Sequence, residues 1–164
     1  MLTLAVAFTQ VVLAVHIAAI VVGFGVTFAY PLFGLVGARI DPRGIPWFHR
    51  MQHVIGQRLI SPSLAVILIA GIYLATKEHQ WSTFYVQWGL GVVIVLGALG
   101  GIFFGPGETR LAALAERDVA AAGSGEVKWS AEYEALRGRV ALVSAASSLL
   151  ILITVYLMTV HSGA

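Results

Sequence analysis

Cysteine is absent from the 164-residue chain, and charged residues are scarce. The lack of cysteine excludes disulfides, thiolate metal sites and covalent haem attachment through a Cys-x-x-Cys-His motif. Asp, Glu, Lys and Arg make up only 11% of the chain, whereas hydrophobic residues make up 59%. This composition is too apolar for the surface of a water-soluble domain, and it also excludes a disordered chain.

Four stretches contain no charged residue at all: 1–38, 59–76, 80–107 and 140–160. A helix needs roughly 20 mainly apolar residues to cross the hydrocarbon core of a bilayer. No strand pattern is present, so we predict an all-α polytopic membrane protein, an antiparallel bundle of four transmembrane helices in a single domain. The lipid bilayer is its expected partner and nucleic acid is not. The predicted spans are about 3–30, 53–76, 83–104 and 139–160.

The basic residues are unevenly distributed among the connections. Only Lys77 lies in the second connection, and neither terminus carries a basic side chain. Because basic residues concentrate on the cytoplasmic side of membrane proteins, connections 1 and 3 are expected in the cytoplasm and both termini outside the inner (plasma) membrane. Nine residues support this orientation: Arg39, Arg43, Arg50, Arg58, Arg110, Arg117, Lys128, Arg137 and Arg139.

Proline and glycine predict where the helices bend or end. Pro31 either ends or bends helix 1, and Pro62 is expected to kink helix 2 because it cannot donate to the Arg58 carbonyl. The Gly-Pro-Gly sequence at 105–107 is expected to stop helix 3. Residues 108–122 then mix charged and apolar side chains, which indicates an amphipathic helix within a cytoplasmic segment, 106–137.

Three glycines of helix 3 repeat at every fourth residue: Gly97, Gly101 and Gly105. This spacing removes side chains from one face, so that another membrane helix can approach closely. We therefore expect this face to mediate helix packing, in a homo-oligomer or a larger membrane complex.

His16 is the polar residue that the membrane setting makes most informative. It lies near the middle of an apolar helix, so it is expected to face the interior of the bundle. Three interpretations remain open: a buried histidine hydrogen-bonded to a neighbour, a ligand of haem iron or another metal, and a proton-transfer group.

Other polar groups lie at different depths. His49, His53 and Gln57 share one face of helix 2, either as interfacial groups or as a weak metal motif. Arg58 stays charged, so it is expected to reach a carbonyl, an inner headgroup or an anion such as a propionate. Gln87 is the only strongly polar residue inside helix 3. At 1.5 Å per residue, His53 lies about 10 Å from His16 along the membrane normal, which favours His16 as the single strong ligand.

Several short motifs carry a resemblance to known proteins. They are Leu-Ala-Val-His-Ile at 13–17, Gly-Phe-Gly at 23–25, Pro62, Gly-Ile-Tyr-Leu at 71–74, and Phe-Gly-Pro at 104–106 followed by Arg-Leu at 110–111. Over nearly its whole length the chain resembles a bacterial family of predicted four-helix integral membrane proteins with no assigned function. More distantly it is similar to the copper-resistance D membrane family and to the HemJ-type, haem-associated protoporphyrinogen oxidases. The HemJ resemblance implies haem ligation by His16, although the basic residue expected in the third span is absent.

Taken together, these features predict a membrane protein that binds haem b in electron transfer or haem-linked oxidation. His16 is the expected axial metal ligand, with His53, Arg58 and Gln87 as further cofactor contacts. Phe24, Phe28 and the helix 3 glycines are expected to line the haem slot. Two alternatives remain: a non-enzymatic structural or assembly subunit of a larger membrane complex, and a small transporter.

Overall fold

The computed structural model describes the backbone of residues 2–161 and the side chains of residues 7–160. This part of the chain contains helices and turns and no strand. The described part of the chain forms four long helical segments. The first and the last are uninterrupted α-helices, and the second and third each contain a π-helical turn. In order, the elements are α1 (Leu2–Ile40), a 3-10 turn (Pro42–Gly44), α2 (Ile45–Ile55), a π turn (Gly56–Ile60), α3 (Ser61–Lys77), α4 (Phe84–Ala98), a π turn (Leu99–Phe104), α5 (Gly105–Ala122) and α6 (Ala131–His161).

Four helical segments are long and apolar enough to cross a membrane: Ala7–Ile40, Pro42–Lys77, Phe84–Ala122 and Ala131–Val160. Large apolar side chains face outward along all of them, as expected for a surface in contact with lipid. The all-α four-helix bundle predicted from the charge-free stretches is therefore confirmed. One end of the bundle, here called the terminal end, holds the start of α1, the end of α6 and the α3–α4 connection. The other, the loop end, holds the remaining two connections.

Each π turn ends two residues before a proline. The Ser61 N–H donates to the Gly56 carbonyl, and the Gly105 N–H donates to the Gly100 carbonyl. Both donors precede a proline, Pro62 or Pro106, which itself has no N–H. The wider turn lets the chain pass through the proline while the neighbouring backbone groups remain bonded.

The prediction that Gly105, Pro106 and Gly107 end helix 3 is wrong. The chain stays helical from Phe84 to Ala122, and Pro106 occupies the first turn of α5, where its missing N–H costs little. Helix 1 likewise continues through Pro31 to Ile40, ten residues beyond the expected boundary at residue 30. A lipid-embedded helix keeps its remaining hydrogen bonds because no water competes for them.

Packing brings the segments together in pairs, α1 with α3, α2 with α5 and α4 with α6. The contact between α1 and α3 is close at Gly23, where a Cβ would lie 2.6 Å from the Ser63 Cβ. Two buried clusters result. One lies between α1, α3, α4 and α6: Phe24, Leu64, Ile67, Val92, Leu96 and Ile151. The second lies near the loop end: Ile45, Leu111, Leu114, Ala115, Tyr133 and Val140.

The helix 3 glycines play less part in this packing than the sequence predicts. A Cβ at Gly97 or Gly101 would meet no atom of another part of the described chain within 4 Å. One at Gly105 would lie 3.3 Å from the Gly100 carbonyl oxygen of its own helical segment and 3.6 Å from Gln57 Nε2 of the neighbouring one. Gly97 and Gly101 face outward, so their role in oligomer contacts stays a prediction.

Candidate functional site

A cavity of about 630 Å³ lies among α1, α3, α4 and α6, in the half of the bundle nearest the terminal end. Its floor is formed by Phe24, Ile67 and Leu96, which belong to the first buried cluster. Its polar residues include Glu78 and Gln80, from the connection between α3 and α4. The volume falls within the range of pockets that bind small organic ligands, about 300–1,000 Å³.

His16 lines this cavity from the middle of α1 and is only 8% exposed. The imidazole lies against α3 at Gly71, where a Cβ would be 3.3 Å from the ring Cε1 and 3.8 Å from Nδ1. The ring also interacts with the backbone of Ile67, one turn earlier in α3. The expectation that His16 faces the bundle interior is confirmed, and the glycine in α3 provides the space for its ring.

The Nδ1 atom of His16 is buried and has no hydrogen-bond partner among the described residues. The Tyr30 hydroxyl, farther along the same helix, is in the same situation. Buried polar atoms in proteins almost always have a partner, because leaving one unpaired costs free energy. An unpaired nitrogen on a side chain that lines an apolar cavity therefore marks a position where a bound group would supply the missing partner.

The lining of the cavity differs in part from the predicted haem slot. Phe24 lines it as expected, but Phe28 does not and is 42% exposed. Of the helix 3 glycines, Gly97, Gly101 and Gly105 lie outside the lining, whereas Gly89 is part of it. The reason is helical phase: Gly89 lies on the buried face of α4 together with Val92 and Leu96, and the predicted stripe lies on another face.

The other predicted contacts do not meet His16 in this cavity. His53 lies near the loop end, with Nδ1 3.2 Å from the Gly105 carbonyl oxygen and 3.5 Å from the Thr109 hydroxyl. Arg58 is exposed in the first π turn. Gln87 is exposed on α4, and its amide donates to the Trp81 carbonyl at 3.1 Å. The structure thus assigns His16 to the cavity without these three residues.

A second polar arrangement, the inner polar cluster, consists of the buried residues His49, Glu108 and Tyr133. It joins α2, α5 and α6: His49 Nδ1 lies 2.7 Å from Glu108 Oε2, and Nε2 lies 3.0 Å from the Tyr133 hydroxyl. With Glu108 ionised, the carboxylate can only accept, so Nδ1 carries the proton and Nε2 accepts from Tyr133. The cluster therefore satisfies three polar groups at a junction of three helices.

From the sequence, His49 is expected to be either an interfacial group or part of a weak metal motif, and no pattern connects it with Glu108 or Tyr133. The three residues are far apart in the chain, and they lie ten, one and seven residues beyond the loop ends of their charge-free stretches, so depth along the spans does not relate them. The faces on which they lie depend on the packing of α5, which was expected to be separate from helix 3.

A further buried carboxylate, Asp118, connects the end of α5 with the start of α6. Its Oδ2 accepts from the Ser130 N–H at 2.8 Å, and Arg117 lies beside Oδ1 at 3.4 Å. Arg117 and Asp118 lie in α5, which is the charged, amphipathic continuation of the apolar helix α4. Burial alone raises the pKa of Asp118, but the hydrogen bonds from Ser130 and Arg117 outweigh it, so the pKa lies below its ordinary value.

Within the described residues, no group of three or more His, Cys, Asp or Glu side chains could hold a metal ion. Comparisons of the chain with protein families, with curated proteins and with solved structures find no match.

Proposed function

We propose that this chain is a membrane protein that binds haem b in the cavity through His16 and takes part in electron transfer or haem-linked oxidation. The observation that carries the proposal is the unpaired Nδ1 of the buried His16, which lines an apolar cavity of about 630 Å³. Imidazole is the commonest axial ligand of haem iron, and a dry pocket shields the cofactor from water. Haem, when bound, supplies a redox-active iron centre.

The described lining of the cavity fits a haem in most respects. The floor is apolar, and one neutral imidazole reaches it. The lining contains no Lys or Arg among the residues described, so the contact with propionates proposed for Arg58 cannot occur in this cavity. The polar part of the lining includes the neutral side chains Thr9 and Gln80 and one carboxylate, Glu78. Of these, the Gln80 amide can donate a hydrogen bond to a propionate.

The distribution of basic residues supports an orientation in a bacterial inner membrane. Nine of the ten Lys and Arg residues lie toward the loop end, and Lys77 alone lies at the terminal end. The loop end is therefore proposed to be cytoplasmic, with both termini outside. The polar connection at the cavity, which contains Glu78 and Gln80, is then on the outer side. The resemblance to the four-helix membrane family and to HemJ-type proteins agrees with this proposal.

Purification from cells supplied with haem tests the proposal directly. We expect haem bands in the reduced-minus-oxidised spectrum, and their loss in His16→Ala. His53→Ala is the matched control, because His53 lies outside the cavity and its loss should leave the bands unchanged. A colourless wild-type protein, or bands that persist in His16→Ala, would contradict haem ligation by His16.

The outward-facing Gly97 and Gly101 favour a second candidate, an assembly subunit of a membrane complex. Gly101→Leu would then weaken association with a partner helix, as measured by copurification in mild detergent. Gly91→Leu is the control, since Gly91 is exposed on the same helical segment but lies outside the repeat. A colourless preparation with a stoichiometric partner would favour this function over haem binding.

A further inference from the structure

We propose that Met158 supplies the second axial ligand to the haem iron that His16 holds, so that the centre has one imidazole and one thioether ligand. This inference rests on the proposed haem site. It goes beyond that site because it names the ligand on the second axial position of the iron. That ligand makes the iron six-coordinate and raises its reduction potential.

Met158 and His16 line the same cavity from different helices. Met158 is on α6, which returns to the terminal end, and His16 is on α1, which leaves from it. Each side chain lies against a glycine of another helix. His16 lies against Gly71 of α3, and the methyl group of Met158 occupies the space beside Gly89 of α4. The two side chains therefore approach the cavity from separate walls.

The two glycines lie at similar distances from the connection between α3 and α4. Gly71 precedes the end of α3, at Lys77, by six residues, and Gly89 follows the start of α4, at Phe84, by five. At 1.5 Å per residue these positions lie about 9 Å and about 8 Å from the same connection. His16 and Met158 thus contact the cavity wall at positions of similar distance from that connection, as a single group bound between them would require.

The chemistry of the lining leaves few other candidates for a sixth ligand. The chain has no cysteine and three methionines. Met51 lies on α2 near the loop end, and Met1 lies outside the described residues. Among the described residues that line the cavity, Met158 is the one thioether and His16 the one imidazole. A thioether is neutral, so it can ligate iron in an apolar pocket without bringing a charge into it, and it raises the potential of haem iron.

Absorption spectra and redox titrations of the haem-loaded protein test this assignment. In the wild type we expect six-coordinate, low-spin haem. Met158→Leu should retain haem through His16, become five-coordinate and high-spin, bind carbon monoxide faster when reduced, and have a lower midpoint potential. Met51→Leu should match the wild type in every measurement.

Two further variants distinguish ligation from packing. Met158→His should restore a six-coordinate spectrum at a potential below that of the wild type, because an imidazole replaces the thioether. Gly89→Ala should disturb the spectrum by displacing the Met158 methyl group, whereas Gly91→Ala should not, since a Cβ there meets nothing within 4 Å.

The outcomes separate this inference from the proposed function. If His16→Ala loses haem but Met158→Leu keeps the wild-type spectrum and potential, Met158 is not a ligand and the haem site stands. If the wild-type protein takes up no haem, both are overturned.

Discussion

The His49 imidazole and the Glu108 carboxylate lie 2.7 Å apart in the buried region where α2 meets α5, although 59 residues separate them in the chain. Tyr133 completes the inner polar cluster from α6. Each polar group has a hydrogen-bond partner, so the cluster joins three helices without leaving a buried polar group unsatisfied. Removing one member of this buried cluster should therefore lower the stability of the fold more than breaking a surface ion pair does.

Glu108→Ala should lower the free energy of unfolding by about 1–3 kcal/mol, because it leaves His49 Nδ1 buried without a partner. Glu108→Gln should cost less, since its amide oxygen still accepts a hydrogen bond. Thermal unfolding in detergent, followed by circular dichroism, measures both. The control is Glu134→Ala, which breaks an exposed pair with Arg137 and should cost at most about 1 kcal/mol. Equal losses in Glu108→Ala and Glu134→Ala would show that the cluster adds nothing special.

The hydrogen bond from Ser130 to Asp118 should weaken in acid. Because the folded-state pKa of Asp118 is lowered, the carboxylate stabilises the fold above its ordinary pKa of 3.8, and this contribution disappears as the pH falls through the lower, folded-state value. Hydrogen exchange at the Ser130 amide measures the effect. We expect wild-type protection to exceed that of Asp118→Ala near neutral pH and the difference to shrink as the pH falls below 3.8.

Asp41→Ala is the control for this acid effect. Asp41 accepts from the Arg43 N–H in the 3-10 turn and makes no recorded contact with Ser130. Its removal should leave the exchange at Ser130 unchanged at every pH. A Ser130 amide whose protection in the wild type is independent of pH would contradict the role of the Asp118 carboxylate.

Gly23→Ala should destabilise the bundle by about 1–3 kcal/mol, because its Cβ would lie 2.6 Å from the Ser63 Cβ, where α1 packs against α3. Gly25→Ala is a matched control two residues away, where a Cβ meets nothing within 4 Å. That change should be neutral or stabilising by up to about 1 kcal/mol, as alanine favours a helix over glycine. Denaturation with a denaturing detergent compares the two. Similar stabilities would mean that α1 and α3 can separate without cost.

The absence of cysteine makes the proposed orientation simple to test by single-cysteine labelling. Ser82→Cys, in the exposed α3–α4 connection, should react in intact cells with a membrane-impermeant maleimide. Ser124→Cys, in the exposed α5–α6 connection, should react only after the membrane is opened. The reverse pattern would place the loop end outside and contradict the orientation given by the basic residues.

Much of the fold could be predicted because lipid imposes a strong pattern on sequence. The four charge-free stretches identify the four helical segments, and the isolation of His16 among apolar residues predicts its inward direction. The sequence predicts the amphipathic helix at 108–122, but it does not predict that this helix continues the preceding span through Pro106. A proline normally signals an end, and only the preceding π turn, a feature of backbone hydrogen bonding, allows the helix to continue.

The side-chain partners were less accessible to sequence reasoning. Which residues of different helices meet depends on helical rotation, and a small error in phase moves a contact to another face. Gly89 and Met158 line the cavity for this reason, whereas Gly97 and Gly101 do not, although the latter had the more recognisable spacing. The contact among His49, Glu108 and Tyr133 could not be predicted, because no local motif relates these residues.

Each π turn accommodates one extra residue, which shifts the angular phase of everything beyond it by about 100° relative to an uninterrupted α-helix. Gly71 and Gly89 lie on the cavity side of the two turns, and His49 and Glu108 lie on the other side. The half of the bundle that holds the cavity and the half that holds the inner polar cluster therefore share the same long helices but differ in helical rotation. Deleting a single residue from one turn would rotate one half against the other, whereas substitutions within either half leave the rotational setting of its neighbour intact.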